Sequence, residues 1–487
     1  MLKIFNSLSK EKEEFIPINK DLIRLYRCGP TVQGKMHIGH AKTYVAFDVV
    51  RRFLIHLYGK SNVLYVMNIT DVGHLAGDSD DGEDKLEGQA LKENISPFEV
   101  AAKYEELFLN DMDKLNIMKP DRLPHASQFV RQQIEMIEIL ISKNYAYKVD
   151  SGSVYFDITN YEINKPFNGS LPYGSLSRRL KDDQINSGRI EVRSEKKDTR
   201  DFALWKGATK EEHFMLWLSP WGWGYPGWHI ECSAMSKFYL GDTFDIHIGG
   251  LDNQFPHHEC EIAQSQAANG KPFVNYWMHN NMLNNSGQKM SKSLGNMTDM
   301  DDLYKLIDPI AIRFFLIQSH YRSQSEYSFE ALEASQKGLL KLKNVLVRLK
   351  YLVGEVSEVD FNDLDFIKEF IEFMNDDFNT PNAIASLFKG ITDLHKLLDQ
   401  KKIDIDLLKK YYSGFKFSFG DILGLDIFNS IKIESDVTEK LMKLIFDIRK
   451  TAKVNKDYST SDLIRDELKN AGIDIQDTKD GPRWNIN

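Results

Sequence analysis

The sequence predicts an α/β fold built on a parallel sheet, with an inserted α+β segment, a helical bundle and a small C-terminal module. Three observations predict it. A strand, a Gly-Pro turn, a helix and a second strand follow one another near the N-terminus, which is the order of a βαβ unit. Strand signals return from Trp228, beyond a stretch rich in Gly, Pro and Ser. After Ser291 the pattern becomes helical.

Length and composition exclude several classes of protein. At about 150 residues per domain, the 487 residues accommodate about three domains. A net charge of -9 argues against a general nucleic-acid coat. Three cysteines exclude a disulfide framework and fit a reducing, cytoplasmic compartment. We recognise no secretory signal and no apolar run of about 18 residues, so we expect no membrane partner.

The first half of the chain gives the elements of the sheet. Residues 22–26 and 62–69 are short apolar runs typical of buried strands, and helical spacing of apolar residues begins at Ala41 between them. Residues 244–248 predict another strand, which enters a Gly-Gly turn. The inserted segment contains a helical pattern at 128–143 and strand-like pieces at 153–156 and 189–192.

The second half is predicted to be helical. One face of a long helix is marked by Leu332, Leu339, Leu342, Leu346 and Leu349. Thr380-Pro381 is typical of an N-cap and a first helical residue. Composition shifts then divide the chain into six segments: 1–120, 121–221, 222–285, 286–330, 331–430 and 431–487.

The tetrapeptide His37-Ile38-Gly39-His40 opens the first helix. The N-terminus of a helix presents unpaired N–H groups that suit a phosphate, and Gly39 allows the backbone to approach a ligand closely. His37 and His40 are placed to donate to phosphate oxygens. Alone, the tetrapeptide is equally compatible with a capped helix carrying surface histidines.

A second motif, Lys289-Met290-Ser291-Lys292-Ser293, lies in a stretch rich in Gly, Ser and Asn. Two lysines beside small hydroxyl residues are suited to hold a triphosphate. Alone, this pattern is more often a solvated basic loop.

Together the two motifs, HIGH and KMSKS, resemble the signature of class I aminoacyl-tRNA synthetases. That likeness implies a Rossmann-like catalytic domain whose halves flank the inserted segment. Further motifs closely resemble the cysteinyl-tRNA synthetase family over nearly the whole chain: Cys28-Gly29-Pro30-Thr31-Val32, Asn68-Ile69-Thr70-Asp71, Gly227-Trp228-His229-Ile230-Glu231-Cys232-Ser233-Ala234-Met235 and Phe255-Pro256-His257-His258-Glu259.

The resemblance implies one zinc ion per chain, held by Cys28, Cys232, His257 and Glu261. Two sulfurs, one nitrogen and one oxygen suit zinc, and His257 and Glu261 share a helix face at i and i+4. Cys28 and Cys232 are 204 residues apart, so spacing alone would not reveal this site.

Three neighbours of these residues are rival ligands: His258, Glu259 and Cys260. Cys260 falls outside the ligand positions of the family and points about 100° away from Glu261 on a helix, so we interpret it as a packing residue.

Zinc would explain how cysteine is selected over serine. The two amino acids are near-isosteres, and a pocket shape separates such pairs poorly. Zinc binds a thiolate and has no comparable preference for a serine hydroxyl. The resemblance also places Thr70, Trp228 and Asp252 near the amino acid, with Trp228 as a wall and Asp252 as counter-ion of the ammonium. Without the family resemblance, these three residues would be interpreted as a threonine at a strand end, a tryptophan of the core and an aspartate of a turn.

The implied reaction has two steps. The carboxylate of L-cysteine attacks the α-phosphorus of ATP and pyrophosphate leaves, and the cysteinyl group then passes to the terminal adenosine of tRNA(Cys). Positioning and charge neutralisation supply most of the catalysis. His37, His40, Lys289 and Lys292 are the expected catalytic residues, with Mg²⁺ accompanying ATP. The expected ATP site comprises His37, Gly39, His40, Gly250, Lys289, Ser291 and Lys292.

Two features depart from the family pattern. Lys42 stands where arginine usually follows the first motif, so the charge is kept and the bidentate fork is lost. The region between residues 71 and 85 is longer than its compact form and carries five acids, which we interpret as a solvated loop: Asp78, Asp80, Asp81, Glu83 and Asp84.

The C-terminal module is implied to read the anticodon of the tRNA. Residues 440–456 predict a basic amphipathic helix with an apolar face of Leu441, Leu444, Ile445 and Ile448. A short helix is expected from Ser461 to Leu468, ended by Gly472. The candidates for base contacts are Asp462, Asp477 and Trp484. Trp484 is equally compatible with a role as an anchor of the C-terminus.

Two other functions compete with this reading. A cysteine ligase of the mycothiol pathway would share the adenylation site and zinc, but the terminal residues 481–484 argue against it. An inactive, synthetase-like RNA-binding protein is disfavoured by the intact motifs. Because the family is commonly monomeric, we expect a monomer.

Overall fold

The structure is a computed structural model of the chain. It describes residues 1–75, 82, 84–179, 195–285, 288–289, 299–357, 359–400, 404–470, 473–478 and 481–486. For residues 285, 288–289, 429–439, 474, 476–478 and 481–486 only the backbone is described.

The described residues form strands in the first two thirds of the chain and at its end, and helices throughout. The strands are β1 (Lys3–Asn6), β2 (Glu11–Glu14), β3 (Ile23–Arg27), β4 (Val63–Met67), β5 (Ala146–Lys148), β6 (Val154–Phe156), β7 (Phe202–Gly207), β8 (Trp217–Ser219), β9 (Gly222–Pro226), β10 (Phe244–Gly250), β11 (Val274–Asn280), β12 (Leu283–Asn285), β13 (Gln288–Lys289), β14 (Ser325–Tyr327), β15 (Ile473–Thr478) and β16 (Gly481–Ile486). The helices are α1 (Ile38–Tyr58), α2 (Lys85–Glu93), α3 (Pro97–Lys114), α4 (Val130–Ser142), α5 (Ile158–Ile163), α6 (Trp228–Leu240), α7 (His257–Asn269), α8 (Met300–Tyr304), α9 (Pro309–Ile317), α10 (Phe329–Val353), α11 (Asp365–Asn375), α12 (Thr380–Leu398), α13 (Ile405–Phe415), α14 (Ile427–Val454) and α15 (Tyr458–Asn470).

A parallel four-stranded sheet carries the site. Its order is β11-β10-β3-β4, and every neighbouring pair is parallel. The helix α1 connects β3 to β4, which confirms the predicted βαβ unit. β4 is a continuous apolar run, and β3 alternates arginines with buried Ile23, Leu25 and Tyr26, because helices cover the two faces of such a sheet. The carboxyl ends of the strands therefore meet at one edge, where ligands bind in open α/β sheets.

The inserted segment has its own antiparallel sheet. The strand order is β5-β6-β7-β9-β8. Because β9 ends at Pro226, this sheet continues past the predicted boundary at residue 221. The predicted strand at 189–192 lies outside the described residues.

The described chain divides into two compact units. The first comprises Met1–Ser335, Ile371–Ile384 and Ile422–Gly424, and the second comprises Gln336–Phe370, Ala385–Asp421 and Leu425–Asn487. The six predicted segment boundaries remain predictions. One of them, 430/431, falls inside the continuous helix α14.

The predicted long helix is confirmed as α10. All five leucines that marked its apolar face are buried, none more than 7% exposed: Leu332, Leu339, Leu342, Leu346 and Leu349. The helix α12 begins at Thr380 with Pro381 in its first turn, one residue earlier than the pattern predicted.

Candidate active site and metal centre

A cavity of about 310 Å³ opens at the carboxyl edge of the parallel sheet. Its wall includes Cys28, which follows β3, Thr70, which follows β4, and Gly250, which ends β10. It also includes Trp228 and His257, the first residues of α6 and α7. The size is at the lower end of the range of ligand sites, about 300–1,000 Å³.

The turn after β3 leaves no room for a side chain at position 29, which is a glycine. A Cβ at this position would lie 1.5 Å from the backbone oxygen of Asn68. The amide N–H of Gly29 also donates to the Asn68 side chain at 2.9 Å. The turns after β3 and β4 are thereby locked together, which places Cys28 beside Thr70.

The structure brings the four predicted metal ligands together. One ligand atom from each of Cys28, Cys232, His257 and Glu261 lies within 4.8 Å of the other three, and all four residues are buried. The helix α7 presents His257 and Glu261 on one face, with 3.2 Å between Nε2 and a carboxylate oxygen. Two sulfurs, one nitrogen and one oxygen match the donor set of a tetrahedral zinc site.

The protonation of this cluster fits a cation. Burial raises the pKa of Cys232 and of Glu261 well above their ordinary values. Burial, with neighbouring histidines, lowers the pKa of His258 well below its ordinary value. Burial thus favours the protonated forms of Cys232 and Glu261, and a bound cation would displace their protons.

A second set of residues is also compatible with a metal. It consists of Cys28, His247, His258 and Glu261. His258 was among the rivals in the sequence, whereas His247 was not predicted. The Nε2 atom of His247 lies 2.9 Å from a Glu261 carboxylate oxygen, and burial lowers the pKa of His247 to about 4.

The other two rivals have different partners. The carboxylate of Glu259 accepts hydrogen bonds from the backbone amides of Gly174 at 3.0 Å and Ser177 at 2.7 Å. Cys260 packs in an apolar cluster and lies 3.5 Å from the hydroxyl of Tyr173. Both side chains thus stabilise the contact between α7 and the inserted segment.

The predicted amino-acid pocket lies beside the metal candidate. The Thr70 hydroxyl donates to the carboxylate of Glu231 at 2.6 Å, and it accepts from the Asn68 amide at 3.1 Å. The Trp228 indole stacks on His257 with 4.3 Å between ring centroids. Asp252 is exposed and lines the cavity.

Three residues that contact the site were not predicted from the sequence: His229, Glu231 and His247. The Nδ1 atoms of His229 and His257 lie 2.8 Å apart, so His229 orients a metal candidate. His229 and Glu231 stand inside a motif that identified the family, and this was the available signal. His247 sits in the strand β10, where alternating apolar residues concealed it.

The HIGH motif lies at the predicted helix N-terminus. The ring nitrogen Nδ1 of His37 accepts from the backbone amide of His40 at 3.3 Å and caps α1. The two imidazoles stack with 3.5 Å between centroids, and His40 lines the cavity. Gly39 occupies the first turn of the helix between them.

The segment after KMSKS returns to the HIGH motif. Backbone bridging joins His37 to Asp299, and the Met300 amide donates to the Met36 carbonyl at 3.2 Å. The backbone of Lys289 belongs to β13, which pairs with β12. Ser291 and Lys292 lie outside the described residues.

The anticodon candidates lie in the second unit. Asp462 is exposed on α15 and lies 3.4 Å from Arg465. The backbones of Asp477 and Trp484 belong to the antiparallel hairpin of β15 and β16, where Trp484 pairs with Ile475. The helix α15 starts at Tyr458, earlier than predicted, and Gly472 lies outside the described residues.

The basic helix, which lies within α14, buries a different side from its predicted apolar face. Of the four residues of that face, Leu441, Leu444 and Ile448 are 53%, 55% and 48% exposed and Ile445 is half-buried, whereas Met442 and Arg449 are buried. The aliphatic stem of an arginine can cover apolar surface, so counting apolar residues selected the wrong side of the helix.

The interpretation of the acidic stretch as a solvated loop is wrong for one residue. Asp84 is buried and caps α2, accepting from the backbone amides of Leu86 and Glu87. The other four acids, at positions 78, 80, 81 and 83, lie outside the described residues.

The fold defines the class of protein. The structure is similar to methionyl-tRNA synthetase of Mycobacterium tuberculosis in complex with methionyl-adenylate, with a TM-score of 0.57 at 15% identity, covering 88% of this chain and 94% of that one. It is also similar to LeuRS of Agrobacterium radiobacter in a ternary complex, with a TM-score of 0.60 at 12% identity, covering 86% of each chain. These likenesses show the class I aminoacyl-tRNA synthetase fold, with its Rossmann-like sheet.

The sequence relatives define the family. The family described as "tRNA synthetases class I (C) catalytic domain" matches residues 14–337, and the DALR domain matches residues 369–428. The chain is 46% identical to "Cysteine--tRNA ligase" of Chlorobaculum tepidum, covering 99% of this chain and 98% of the relative. It is 45% identical to that of Deinococcus radiodurans, covering 99% and 96%. The chain therefore belongs to the cysteine–tRNA ligase family of class I aminoacyl-tRNA synthetases, and it is an enzyme of that class.

Among the described residues, every helix is too short or too polar to cross a bilayer.

Proposed function

We propose that this protein activates L-cysteine with ATP and transfers the cysteinyl group to the terminal adenosine of tRNA(Cys). The observation that carries the proposal is the buried cluster of two thiols, an imidazole and a carboxyl at the wall of the cavity. Such a donor set suits zinc, which binds a thiolate, and the thiol is the group that separates cysteine from the other amino acids.

Cys28, Cys232, His257 and Glu261 are proposed to hold one zinc ion. When bound, zinc supplies a cation that prefers a thiolate to a hydroxyl and favours the deprotonated form of the substrate's sulfur. The accessible position of the cluster supports this set over its rival. Cys28 and Glu261 belong to both sets, so the other residues decide: Cys232 and His257 line the cavity, where a substrate can reach them, whereas His247 and His258 are not among its lining residues.

The remaining pocket residues are proposed to position the amino acid. Asp252 gives the exposed edge of the cavity a negative charge that suits an ammonium group. Trp228 closes the side next to His257. The hydroxyl of Thr70 is committed to Glu231 and Asn68, so we assign it to the shape of the pocket and not to a proton transfer.

ATP is proposed to bind along the N-terminus of α1. His40 and Gly250 line the cavity, and His37 stacks on His40. These residues and the amide groups of the first helical turn, including that of Gly39, are proposed to contact the α-phosphate. Lys289, Ser291 and Lys292 are proposed to hold the outer phosphates, and Mg²⁺ enters with ATP. The residues of this chain supply orientation and positive charge, so the carboxylate of the bound cysteine can attack in line.

The C-terminal region is proposed to bind the tRNA. The helix α14 supports this assignment, because its exposed side carries Lys440, Lys443 and Lys450. We propose that three residues contact unpaired bases of the tRNA: Asp462, Asp477 and Trp484. We propose a monomer working in the cytoplasm, where the three free cysteines stay reduced.

Two assays on one preparation test the function. Cysteine-dependent exchange of pyrophosphate into ATP should occur without tRNA, and charging of purified tRNA(Cys) should follow when tRNA is added. Exchange without charging would instead indicate a ligase with another amine acceptor. Absence of both reactions in a folded, zinc-containing chain contradicts the proposal.

The Cys232→Ser variant tests the metal set. The hydroxyl of serine is a weak zinc ligand, so we expect bound zinc to fall below half of the wild-type content and exchange to fall by a factor of about 100 or more. The matched control is Cys260→Ser, which changes a buried cysteine outside the cluster and should keep its zinc. Retained zinc in Cys232→Ser together with its loss in His258→Ala would favour the rival set.

A further inference from the structure

Between β4 and α2, residues 73–75 and 84–85 pair into a stem beside the cavity. The amide of Lys85 donates to the carbonyl of His74 at 3.0 Å, and Leu75 forms an antiparallel bridge with Asp84. The Asp84 carboxylate, which caps α2, also accepts from the Gly73 amide at 3.1 Å. These hydrogen bonds join the residues that follow β4 to the residues that begin α2.

Gly73 brings this stem against the strand that precedes Trp228. Its φ is +75°, in the region that favours glycine, and a Cβ would lie 2.4 Å from the carbonyl oxygen of Pro226. Pro226 ends β9, and Gly227 alone separates it from Trp228. Close contact between the two backbones places the residue after Gly73 next to the indole.

That residue is His74, which stacks on Trp228. The two rings are 3.8 Å apart between centroids and 13° from parallel. The indole also stacks on His257, with 4.3 Å between centroids, so it contacts one imidazole of the stem and one imidazole of the metal candidate. His74 is buried and lines the cavity with Trp228.

Two hydrogen bonds fix the orientation of the His74 ring. The ammonium of Lys85 donates to Nε2 at 2.6 Å, and Nδ1 lies 2.5 Å from the Thr31 hydroxyl oxygen. Because an ammonium group can only donate, Nε2 accepts, and the single proton of the neutral ring sits on Nδ1. Nδ1 therefore donates to Thr31, another residue of the cavity wall. The ring cannot rotate without losing both bonds.

We propose that His74 is a positioning residue of the cysteine pocket. It holds the indole of Trp228 in place as the wall beside the substrate. The proposal rests on the proposed function, since it assigns a role within that pocket. It also gives the stem formed by residues 73–75 and 84–85 a role in binding the amino acid. His74 acts through Trp228 and not on the reacting atoms.

Two variants of similar volume separate stacking from space filling. His74→Leu and His74→Phe both lose the hydrogen bonds to Thr31 and Lys85, but only Phe keeps a planar ring against the indole. From the strength of aromatic pairs, we expect the KM for cysteine in pyrophosphate exchange to rise about three- to tenfold in His74→Leu and to stay closer to wild type in His74→Phe. The KM for ATP and the zinc content should remain at wild-type values in both. His395→Leu, at an exposed histidine of α12, is the control.

Three results would overturn the proposal. They are an equal KM for cysteine in the Leu and Phe variants, a parallel rise in the KM for ATP, and a lower concentration of active enzyme with both KM values unchanged. The last result would indicate a purely structural histidine. A failure of the proposed function would show separately, as wild-type protein without cysteine-dependent exchange. In that event crystal structures of the two variants decide the matter, because the proposal requires the indole to shift in His74→Leu and to stay in His74→Phe.

Discussion

Lys42 shows how a single buried charge connects the two ATP motifs. It lies on α1, two residues after the HIGH motif, and its side chain is buried. The ammonium donates to the Ser323 carbonyl at 2.8 Å, the Ser325 hydroxyl at 3.0 Å and the Met282 carbonyl at 3.2 Å. Ser325 begins β14, which pairs with β12, and β12 in turn pairs with the strand that contains Lys289. Lys42 therefore fixes the base of the KMSKS hairpin to the HIGH helix.

Replacement of Lys42 by methionine should weaken both stability and ATP binding. Methionine fills similar space but donates no hydrogen bond, so buried acceptors lose their partner at a cost of about 1–3 kcal/mol in the free energy of unfolding. We expect the KM for ATP to rise in pyrophosphate exchange while the KM for cysteine stays constant. Chemical denaturation and exchange kinetics measure the two effects. Lys42→Arg keeps the charge and the donors and is the control. An unchanged KM for ATP in Lys42→Met would show that Lys42 contributes to stability alone and not to ATP binding.

At the scale of elements, a buried ion pair joins α1 to α9. A guanidinium nitrogen of Arg313 lies 2.6 Å from a carboxylate oxygen of Asp48, and both side chains are almost fully buried. Burial alone would raise the pKa of Asp48, but Arg313, Arg52 and the Met118 amide hold it below its ordinary value. Arg313 also donates to the Leu423 carbonyl at 2.8 Å. Removal of Arg313 would leave a buried carboxylate with less compensation.

The Arg313→Met variant should therefore lose about 3–5 kcal/mol in free energy of unfolding at pH 7. The effect depends on pH. Because the folded pKa of Asp48 lies below its unfolded value of about 3.9, its stabilising contribution is present above that pH and is lost as the pH falls through the folded pKa. The difference in free energy of unfolding between wild type and Arg313→Met should accordingly become smaller as the pH falls. Denaturation at several pH values measures it, and Arg131→Met, at an 86% exposed arginine, should change stability by less than about 1 kcal/mol. A difference that stays constant with pH would contradict this account.

Elements were easier to predict than the contacts between them. The strand β4 is a continuous apolar run, β3 is a short run rich in apolar residues, and α10 repeats leucine at helical spacing, so local pattern located all three within a few residues. The metal candidates required the family resemblance, because Cys28 and Cys232 come from distant elements. His247 could not be predicted, since nothing in an apolar strand marks a histidine that faces a carboxylate 2.9 Å away. The buried side of α14 was missed because exposed leucines and a buried arginine reverse the usual pattern.

At the scale of the whole molecule, charge separates two tasks. The net charge of -9 disfavours indiscriminate binding to RNA, whereas α14 presents a local set of exposed lysines. The cavity and the metal candidates lie in the first unit, and α14 lies in the second. Amino-acid activation and tRNA binding should therefore respond separately to changes of charge.

Simultaneous replacement of Lys440, Lys443 and Lys450 by glutamate tests this separation. Each lysine that neutralises a phosphate contributes to the salt dependence of binding, so the slope of log Kd for tRNA against log salt should become shallower by about two. The KM for tRNA should rise at least tenfold, whereas cysteine-dependent pyrophosphate exchange without tRNA stays at the wild-type rate. The control makes the same charge change at three exposed lysines of the first unit, Lys20, Lys60 and Lys92, and should leave the salt slope unchanged. Equal losses in both variants would show that net charge, and not the lysines of α14, governs the association with tRNA.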